Sequence, residues 1–225
     1  MRYFDCEQGS EAWFKLRLGV PTASNFRRIL TPKQAKLSAS ADEYINELVG
    51  EQLSLIPPEG AENYTNRAMR WGQQTEEEAR RFYCMENSCD VQNGGFCTSN
   101  DGRFGSSPDF LVGIEPAEEM LFEPGKGHYA LCSVQGAGEL KCPQPATQVE
   151  YLLADALPDI YRWQVHGHLI VTGAAYCDFL SYTPGLAPLV VRVEPGSDTL
   201  LLRQALDQFW DKYQLTLRRV REMNS

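Results

Sequence analysis

Glu139-Leu140-Lys141-Cys142-Pro143 places an acid and a lysine two residues apart in a segment that is typical of a β-strand. Because side chains i and i+2 lie on the same face of a strand, Glu139 and Lys141 project together while Leu140 points into the core. Pro143 has no backbone N–H, so it ends the strand or places it at a sheet edge. Acid–lysine pairs are also common on solvent-facing strands, and the pair alone does not specify a function.

A second acid, Asp109, precedes the apolar run 110–112 and can join this face from a neighbouring strand. Asp109 and Glu139 together would make a hard oxygen site of the kind that Mg²⁺ selects, with waters and a substrate phosphate as further ligands. The backbone carbonyl of Leu140 is another candidate ligand. Hydrolysis of a phosphodiester needs an activated water and a stabilised leaving oxygen, which one or two metal ions supply. The Lys141 ammonium can orient the water and offset transition-state charge.

A third acid is expected on a helix. Residues 66–86 have the apolar periodicity of an amphipathic helix, and Glu76 falls at the margin of the apolar arc, on the side of Tyr83. Glu76 can therefore face inward, whereas Glu77 lies on the far side and can pair with Arg80 or with the arginine that follows. The alternative is that Glu76 is one more solvated acid in a run of three.

Periodicity and turn residues predict the remaining elements. Helices are expected at residues 11–18, 23–30, about 42–53, 66–86, 159–172 and 197–223, with Ser10, Thr22 and Asp159 as N-caps of the first, second and fifth. Strands are expected at residues 95–99, 103–106, 110–112, 129–134, 139–143, 175–182 and 188–194. Residues 113–128 should form a solvated loop or a hairpin excursion. This order indicates an α/β fold with a mixed central sheet flanked by helices.

Length and composition favour one globular domain over residues 1–225, with a basic helical part at 1–55, a catalytic core at about 66–195 and a C-terminal helix at about 197–223. No apolar run is long enough to span a membrane, and the N-terminus lacks the features of a signal peptide, so we expect a cytoplasmic protein. Seven cysteines without a CxxC pair are expected to be reduced thiols.

The net charge of −9 argues against a protein that coats nucleic acid nonspecifically, because affinity for phosphates is chiefly cationic. Residues 1–40, however, carry a net charge of +4, which leaves −13 on the rest of the chain. The basic end could therefore meet DNA, and part of the acidity would belong to a metal site.

Five stretches of the chain resemble the lambda exonuclease-like, YqaJ-type viral recombinases. They are residues 8–24 (QGSEAWFKLRLGVPTAS), 71–76 (WGQQTE), 107–109 (SPD), 139–143 (ELKCP) and 161–165 (YRWQV), in the family's order. The resemblance implies a PD-(D/E)xK, restriction-endonuclease-like core and a Mg²⁺-dependent enzyme. Mn²⁺ accepts the same carboxylate and water ligands and is not distinguished from Mg²⁺ by the sequence, and two ions per site are our hypothesis. It implies digestion of one strand of a DNA duplex from the 5′ end, which leaves a 3′ single strand for an annealing protein. It also implies a ring-shaped homotrimer in a phage or prophage setting within a bacterial host.

The resemblance further implies a role for each matched side chain: metal binding for Asp109 and Glu139, a helix-borne acid near the metals for Glu76, catalysis for Lys141, positioning of water or metal for Gln164, and binding of the terminal phosphate for Arg17 and Ser24. The last two roles also make physical sense, because arginine offers a forked phosphate contact and a serine at a helix N-terminus adds backbone N–H donors. A surface arginine and an ordinary N-terminal helix serine are the alternatives.

Two rival functions remain open at this stage. A structure-specific endonuclease could use the same core, although Arg17 and Ser24 argue for recognition of a free end. A DNA-end-binding protein without hydrolysis is the other rival, and the complete set of Asp109, Glu139 and Lys141 argues against it. One departure from the family is the 29 residues between Asp109 and Glu139, of which 113–135 look inserted.

Two histidines lie close to Gln164 in the sequence. His166 and His168 fall on different faces of the predicted helix, so we expect packing or surface roles rather than a shared metal. Gln164 and His168, four residues apart, share a face that could look into the cleft.

Overall fold

The computed structural model describes residues 1–31, 34–56 and 67–224. The strands in these ranges are β1 (Arg2–Phe4), β2 (Leu30–Thr31), β3 (Gln34–Leu37), β4 (Val91–Asn93), β5 (Phe96–Thr98), β6 (Gly105–Ser106), β7 (Phe110–Val112), β8 (Glu115–Glu123), β9 (Gly127–Ser133), β10 (Gly136–Lys141), β11 (Tyr176–Ser181) and β12 (Leu189–Val193). The helices are α1 (Glu11–Arg17), a 3₁₀ helix (Ala23–Arg28), α2 (Ala41–Ser54), α3 (Arg67–Asn87), α4 (Pro145–Ala154), α5 (Asp159–Thr172) and α6 (Ser197–Met223).

The first sheet has the strand order β12-β11-β10-β7-β4, with β10 at its centre. Strand β10 is parallel to β11 and antiparallel to β7, so the predicted mixed sheet flanked by helices is confirmed. Gly138 lies opposite Phe110, and a Cβ at position 138 would overlap the Phe110 ring. Glycine is therefore required for β7 and β10 to approach at this point. Strand β10 ends at Lys141, two residues before Pro143, so the proline follows the end of the strand.

A second sheet, which the sequence did not predict, has the order β6-β5-β1-β9-β8 and is antiparallel throughout. Strand β1 lies between β5 and β9, with Arg2 opposite both Thr98 and Leu131. Residues 113–128 form most of the β8–β9 hairpin, which is the hairpin alternative rather than the loop. The hairpin was expected as a solvated excursion from the fold, but its second strand, β9, is an interior strand of this sheet.

Helix α5 packs between the 3₁₀ helix and the strands. The packing requires glycine at position 167, because a Cβ there would lie 2.7 Å from the Phe26 ring and 2.8 Å from the Ala23 Cβ. The apolar side of α5, including Val165 and Leu169, is buried in the largest hydrophobic cluster. Helix α5 is thus held at a fixed depth over the first sheet.

Several predicted boundaries need correction. The second predicted helix is a 3₁₀ helix, and the Thr22 side chain does not cap it. The residue that caps α5 is Pro158, so Asp159 is the first helical residue rather than the cap. Ser10 does cap α1, since its Oγ accepts a hydrogen bond from Trp13 N at 3.2 Å. Residue 66, where the long helix was expected to begin, lies outside the described residues.

The remaining sequence-level expectations concern thiols and membranes. All seven cysteines are free thiols, as expected. Among the helices that the structure describes, none is long and apolar enough to cross a bilayer.

Candidate active site

Asp109 occupies the junction between the two sheets, after β6 and directly before β7. Its backbone N–H donates to the Gly138 carbonyl at 2.9 Å, and its own carbonyl accepts from Arg80 Nη2 at 2.7 Å. The Asp109 carboxylate accepts a hydrogen bond from Leu140 N at 2.6 Å through Oδ2. These contacts fix the carboxylate against β10. The backbone N–H of Leu140 therefore binds Asp109, while the Leu140 carbonyl remains a predicted metal ligand.

Glu139 lies at the centre of β10 and is 1% exposed. Its Oε1 accepts from Gln164 Nε2 at 2.7 Å and forms a salt bridge with Lys141 Nζ. Its Oε2 lies 2.7 Å from His168 Nε2. Both carboxylate oxygens are thus held by neighbouring groups, two of which come from α5.

Lys141 shares the face of β10 with Glu139, as the i, i+2 spacing predicted. Its side chain is 28% exposed, and its Nζ lies 5.3 Å from the centre of the Tyr161 ring, within range of a cation–π contact. Burial lowers the pKa of Lys141, but the carboxylates of Glu139 and Asp109 raise it by more, so the net shift is upward. The lysine is therefore a permanent cation at the mouth of the site.

The two carboxylates respond differently to their surroundings. Burial raises the pKa of Asp109, and the nearby Glu139 carboxylate raises it further. Burial also acts to raise the pKa of Glu139, but Lys141 and the hydrogen bond from His168 outweigh it and lower the pKa. Asp109 is thus a partly buried acid whose negative charge is poorly compensated, and a bound cation would relieve that cost.

Glu76 lies on α3 with an exposed side chain, so it does not face inward as expected. Its charge nevertheless contributes to raising the pKa of Asp109 and of the Cys142 thiol. Glu76 is therefore near enough to Asp109 and Cys142 to act on them electrostatically, and its predicted role near the metals stays a prediction.

The donor set suits a hard divalent cation. Among the side chains that the structure describes, no group of three or more histidines, cysteines and acids is close enough to hold a metal. Asp109 and Glu139 do, however, supply the paired carboxylate oxygens that Mg²⁺ and Mn²⁺ prefer, and Mg²⁺ keeps several waters when one or two carboxylates bind it. The residues present therefore fit a cation completed by water and phosphate rather than a closed protein cage.

A second candidate site surrounds Arg17, at the end of α1. Its guanidinium donates to Thr22 Oγ1 at 3.2 Å, to Ser24 Oγ at 3.4 Å and to Ser107 Oγ at 3.5 Å, and it lies 4.1 Å from the centre of the Trp13 ring. Within the described residues no carboxylate forms a salt bridge with Arg17. Burial lowers its pKa to about 10. A half-buried cation whose hydrogen bonds go to neutral hydroxyls is suited to bind an anion.

Arg17 lines a cavity of about 340 Å³ between α1, the 3₁₀ helix and α2. Ser24 is exposed, and its hydroxyl contacts both Arg17 and Thr22, so the two predicted phosphate ligands lie together. Arg28 also lines the cavity, but its two Nη atoms donate to Glu47 at 2.7 Å each. Glu51 lines the cavity as well, and its charge acts to raise the pKa of Arg17, but its Oε2 accepts a hydrogen bond from Gly19 N at 3.0 Å and it forms no described salt bridge with Arg17.

One short segment joins the cavity to the carboxylates. Ser107 contacts Arg17 and accepts from Trp13 Nε1 at 2.8 Å, and Asp109 follows two residues later. Two residues span at most about 7 Å of extended chain. Gln8 Nε2 donates to the Pro108 carbonyl between them at 2.8 Å, which anchors the segment. The Cα atoms of Ser107 and Asp109 are thus at most about 7 Å apart, so the segment that contacts Arg17 is also the segment that carries Asp109.

Several contact residues were missed in the sequence. His168, which was placed on the same helical face as Gln164, is buried, and its contact with Glu139 was not predicted. Its position four residues after Gln164, on the same helical face, was the available signal. Ser107 and Trp13 gave no such signal, because they meet across the boundary between α1 and β6, far apart in sequence.

The mixed sheet, with an acid before β7 and an acid–lysine pair on β10, has the architecture of a PD-(D/E)xK nuclease. The model of the YqaJ-like viral recombinase domain matches residues 12–175, and the chain belongs to this family. Membership in a family of viral recombinases and alkaline exonucleases implies a DNA-hydrolysing exonuclease that uses a divalent metal.

Solved structures agree with this assignment. The alkaline exonuclease LHK-Exo from Laribacter hongkongensis superimposes with a TM-score of 0.74 at 24% identity over 96% of this chain and 98% of that one. Its complex with dAMP gives a TM-score of 0.73 at 25% identity over the same shares. A phage-related exonuclease from Haemophilus somnus shares the fold, with a TM-score of 0.57 at 12% identity over 91% of this chain and 96% of that one. A search of curated proteins finds no match.

Proposed function

We propose that the protein is a 5′→3′ exonuclease that hydrolyses one strand of linear double-stranded DNA from 5′-phosphorylated ends and leaves a 3′ single-stranded overhang. The observation that carries this proposal is the segment from Ser107 to Asp109, which joins an arginine that forms no salt bridge with any carboxylate the structure describes to the candidate catalytic carboxylates. A terminal phosphate bound in this cavity would fix how far the scissile bond lies from the 5′ end of the strand. We propose 5′-mononucleotides as the products.

Each side chain then has a task in hydrolysis. Asp109 and Glu139 would hold Mg²⁺, or Mn²⁺ in its place, with the Leu140 carbonyl as a further ligand and Glu76 near the ions. Two ions per site, when bound, would activate the attacking water and stabilise the leaving oxygen. Their number is part of the proposal.

The remaining groups would orient the reaction. Lys141, held as a cation, would orient the water and offset negative charge on the phosphate. Gln164 donates to Glu139 Oε1 and would keep that oxygen directed into the site as the substrate enters. Arg17 and Ser24 would bind the terminal phosphate, which sets the register of the scissile bond.

The biological setting follows the family resemblance. We propose a ring-shaped homotrimer in the cytoplasm of a bacterial host, working with a single-strand annealing protein that receives the 3′ strand. A ring around the duplex would keep the enzyme on its substrate between cuts. Light scattering should then give a mass near three times 25.4 kDa.

The decisive experiment for polarity uses linear duplexes labelled separately at the 5′ and 3′ ends, with and without a 5′ phosphate, together with a closed circle. In Mg²⁺ the 5′ label should leave first as a mononucleotide, faster from the phosphorylated end, and the circle should stay intact. Cleavage of the circle would favour the endonuclease rival. Binding without any product, in Mg²⁺ or Mn²⁺, would favour a DNA-end-binding protein.

A further inference from the structure

Ser106, His168 and Glu139 form a buried chain of hydrogen bonds behind the active site. His168 Nε2 lies 2.7 Å from Glu139 Oε2, and its Nδ1 lies 2.6 Å from Ser106 Oγ. Each of the three residues is at most 1% exposed. Ser106 belongs to β6 of the second sheet, His168 to α5 and Glu139 to β10 of the first sheet. The chain therefore joins three layers of the fold.

The order of donors along this chain is set by chemistry. A carboxylate can only accept, so the hydrogen between His168 and Glu139 must be on Nε2. In a neutral imidazole Nδ1 is then an acceptor, and the Ser106 hydroxyl supplies the hydrogen that it needs. Ser106 thus favours the one neutral tautomer that can bind Glu139.

The consequence for Glu139 is a fixed carboxylate plane. Oε2 is held from behind by His168, while Oε1 faces Lys141 and Gln164. The contacts that the structure gives for Lys141 and Gln164 are both to Oε1. A carboxylate held through one oxygen presents the other in a single orientation, which is how groups behind a metal ligand commonly set its geometry.

We infer that His168 is a positioning residue, which orients the Glu139 carboxylate for the divalent cation, and that Ser106 holds the His168 ring in the required tautomer. This inference rests on the proposed function, since it assigns Glu139 to the cation. It adds two residues that neither touch DNA nor reach the cation themselves.

His166 provides a matched control on the same helix. It is also buried, at 6% exposure, but its Nδ1 lies 2.9 Å from Thr199 Oγ1 and its Nε2 lies 3.6 Å from Asp198. These partners tie α5 to the start of α6, away from Glu139. Its substitution should affect packing without changing the carboxylate.

The test is Mn²⁺ binding to the full-length protein, measured by titration calorimetry and by electron paramagnetic resonance of free Mn²⁺. His168→Met, which keeps side-chain length but has no N–H, should weaken Mn²⁺ binding by about 10- to 100-fold. His168→Gln, which keeps an N–H donor near the Nε2 position, should bind near the wild-type level. His166→Gln should match the wild type. Circular dichroism confirms the fold of each variant.

The outcomes separate the inference from the proposed function. If the wild type binds Mn²⁺ and degrades DNA but His168→Met binds equally tightly, the inference is wrong and the proposed function stands. If the wild type neither binds Mn²⁺ nor degrades DNA, both are wrong. Should His168→Met fail to fold, Ser106→Ala decides instead: binding about tenfold weaker supports the inference, and unchanged binding overturns it.

Discussion

Replacing Arg17 by glutamine tests whether the cavity beside α1 recognises the terminal phosphate. Glutamine has neither the charge nor the forked donors of the guanidinium, and its shorter side chain does not reach the Nη positions. In the wild type those donors contact Thr22, Ser24 and Ser107, and no described carboxylate forms a salt bridge with them. The substitution therefore removes the anion-binding charge together with the guanidinium's contacts to the three hydroxyls.

The size of the effect follows from the contacts. A hydrogen bond to a charged group contributes about 1.5–3 kcal/mol, and an arginine binds phosphate through two such bonds. Because the cavity is open to water, we take the lower value for each bond, which gives about 3 kcal/mol. At about 1.4 kcal/mol per factor of ten, the phosphate should be worth about 100-fold in kcat/KM to the wild type and almost nothing to Arg17→Gln.

The assay compares kcat/KM on duplexes with a 5′ phosphate and a 5′ hydroxyl, for the wild type and the variant. The two losses should not add, because both remove the same interaction. Arg28→Gln is the control, since Arg28 lines the same cavity but is paired with Glu47, and it should keep the phosphate preference. Equal loss by Arg17→Gln on both substrates would refute the phosphate role.

Three further predictions concern stability. In EDTA at pH 8, Asp109→Asn should raise the free energy of unfolding by about 1–2 kcal/mol. Burial and then Glu139 raise the pKa of the Asp109 carboxyl to about 7, so its charged form destabilises the folded protein at pH 8. One pKa unit corresponds to about 1.4 kcal/mol, and the expected gain is smaller than the full shift would give because Asp109 is partly exposed. The unfolded chain releases this proton first, so the wild type loses stability between about pH 4 and pH 7; urea titrations in which the two proteins still differed below pH 4 would contradict this cause. Gly138→Ala should lower the free energy of unfolding by about 1–3 kcal/mol, since its Cβ would overlap a ring of β7, and an unchanged urea midpoint would argue against that packing. Tyr83→Phe removes a 2.7 Å hydrogen bond to the buried Asp178. The free energy of unfolding measured by thermal denaturation should therefore fall by about 1–2 kcal/mol, and an unchanged melting temperature would contradict this expectation.

The parts of the fold that were predictable from sequence are those with local signals. The spacing of Glu139 and Lys141 indicated one face of a strand, and the structure places both on one side of β10. Helix α5 ends at Gly173 in the left-handed conformation, with a φ of 71°, as the glycine indicated. These features depend on residues that are close together in the sequence, so they can be predicted from a single sequence.

The second sheet was not predictable in the same way. Strand β1 is three residues long and pairs with strands near residues 97 and 130, so its position depends on contacts across most of the chain. Short strands carry little periodicity, and their partners are not encoded locally. Helix α4 was not predicted either, although the proline at its first position favours a helix start.

The candidate site shows the same division. Asp109, Glu139 and Gln164 were predicted as site residues from motifs. In the structure the Asp109 carboxylate accepts a hydrogen bond from Leu140 N on β10, and Gln164 on α5 donates one to Glu139. The partner of Glu139 on the other side, His168, could be placed on the right helical face but not at hydrogen-bonding distance, since that distance depends on how deeply α5 packs. Gly167, which sets this depth, carries no functional signal of its own.

The measurement that tests the central claim most directly is the single-turnover release of mononucleotides from a 5′-phosphorylated duplex in Mg²⁺, comparing the wild type with Lys141→Ala. Lys126→Ala serves as a control, because Lys126 forms its salt bridge with Glu123 in the β8–β9 hairpin. We predict release about 100- to 1000-fold slower for Lys141→Ala, none with EDTA, and the wild-type rate for Lys126→Ala. Release by Lys141→Ala at the wild-type rate would contradict the assignment of the active site to Asp109, Glu139 and Lys141.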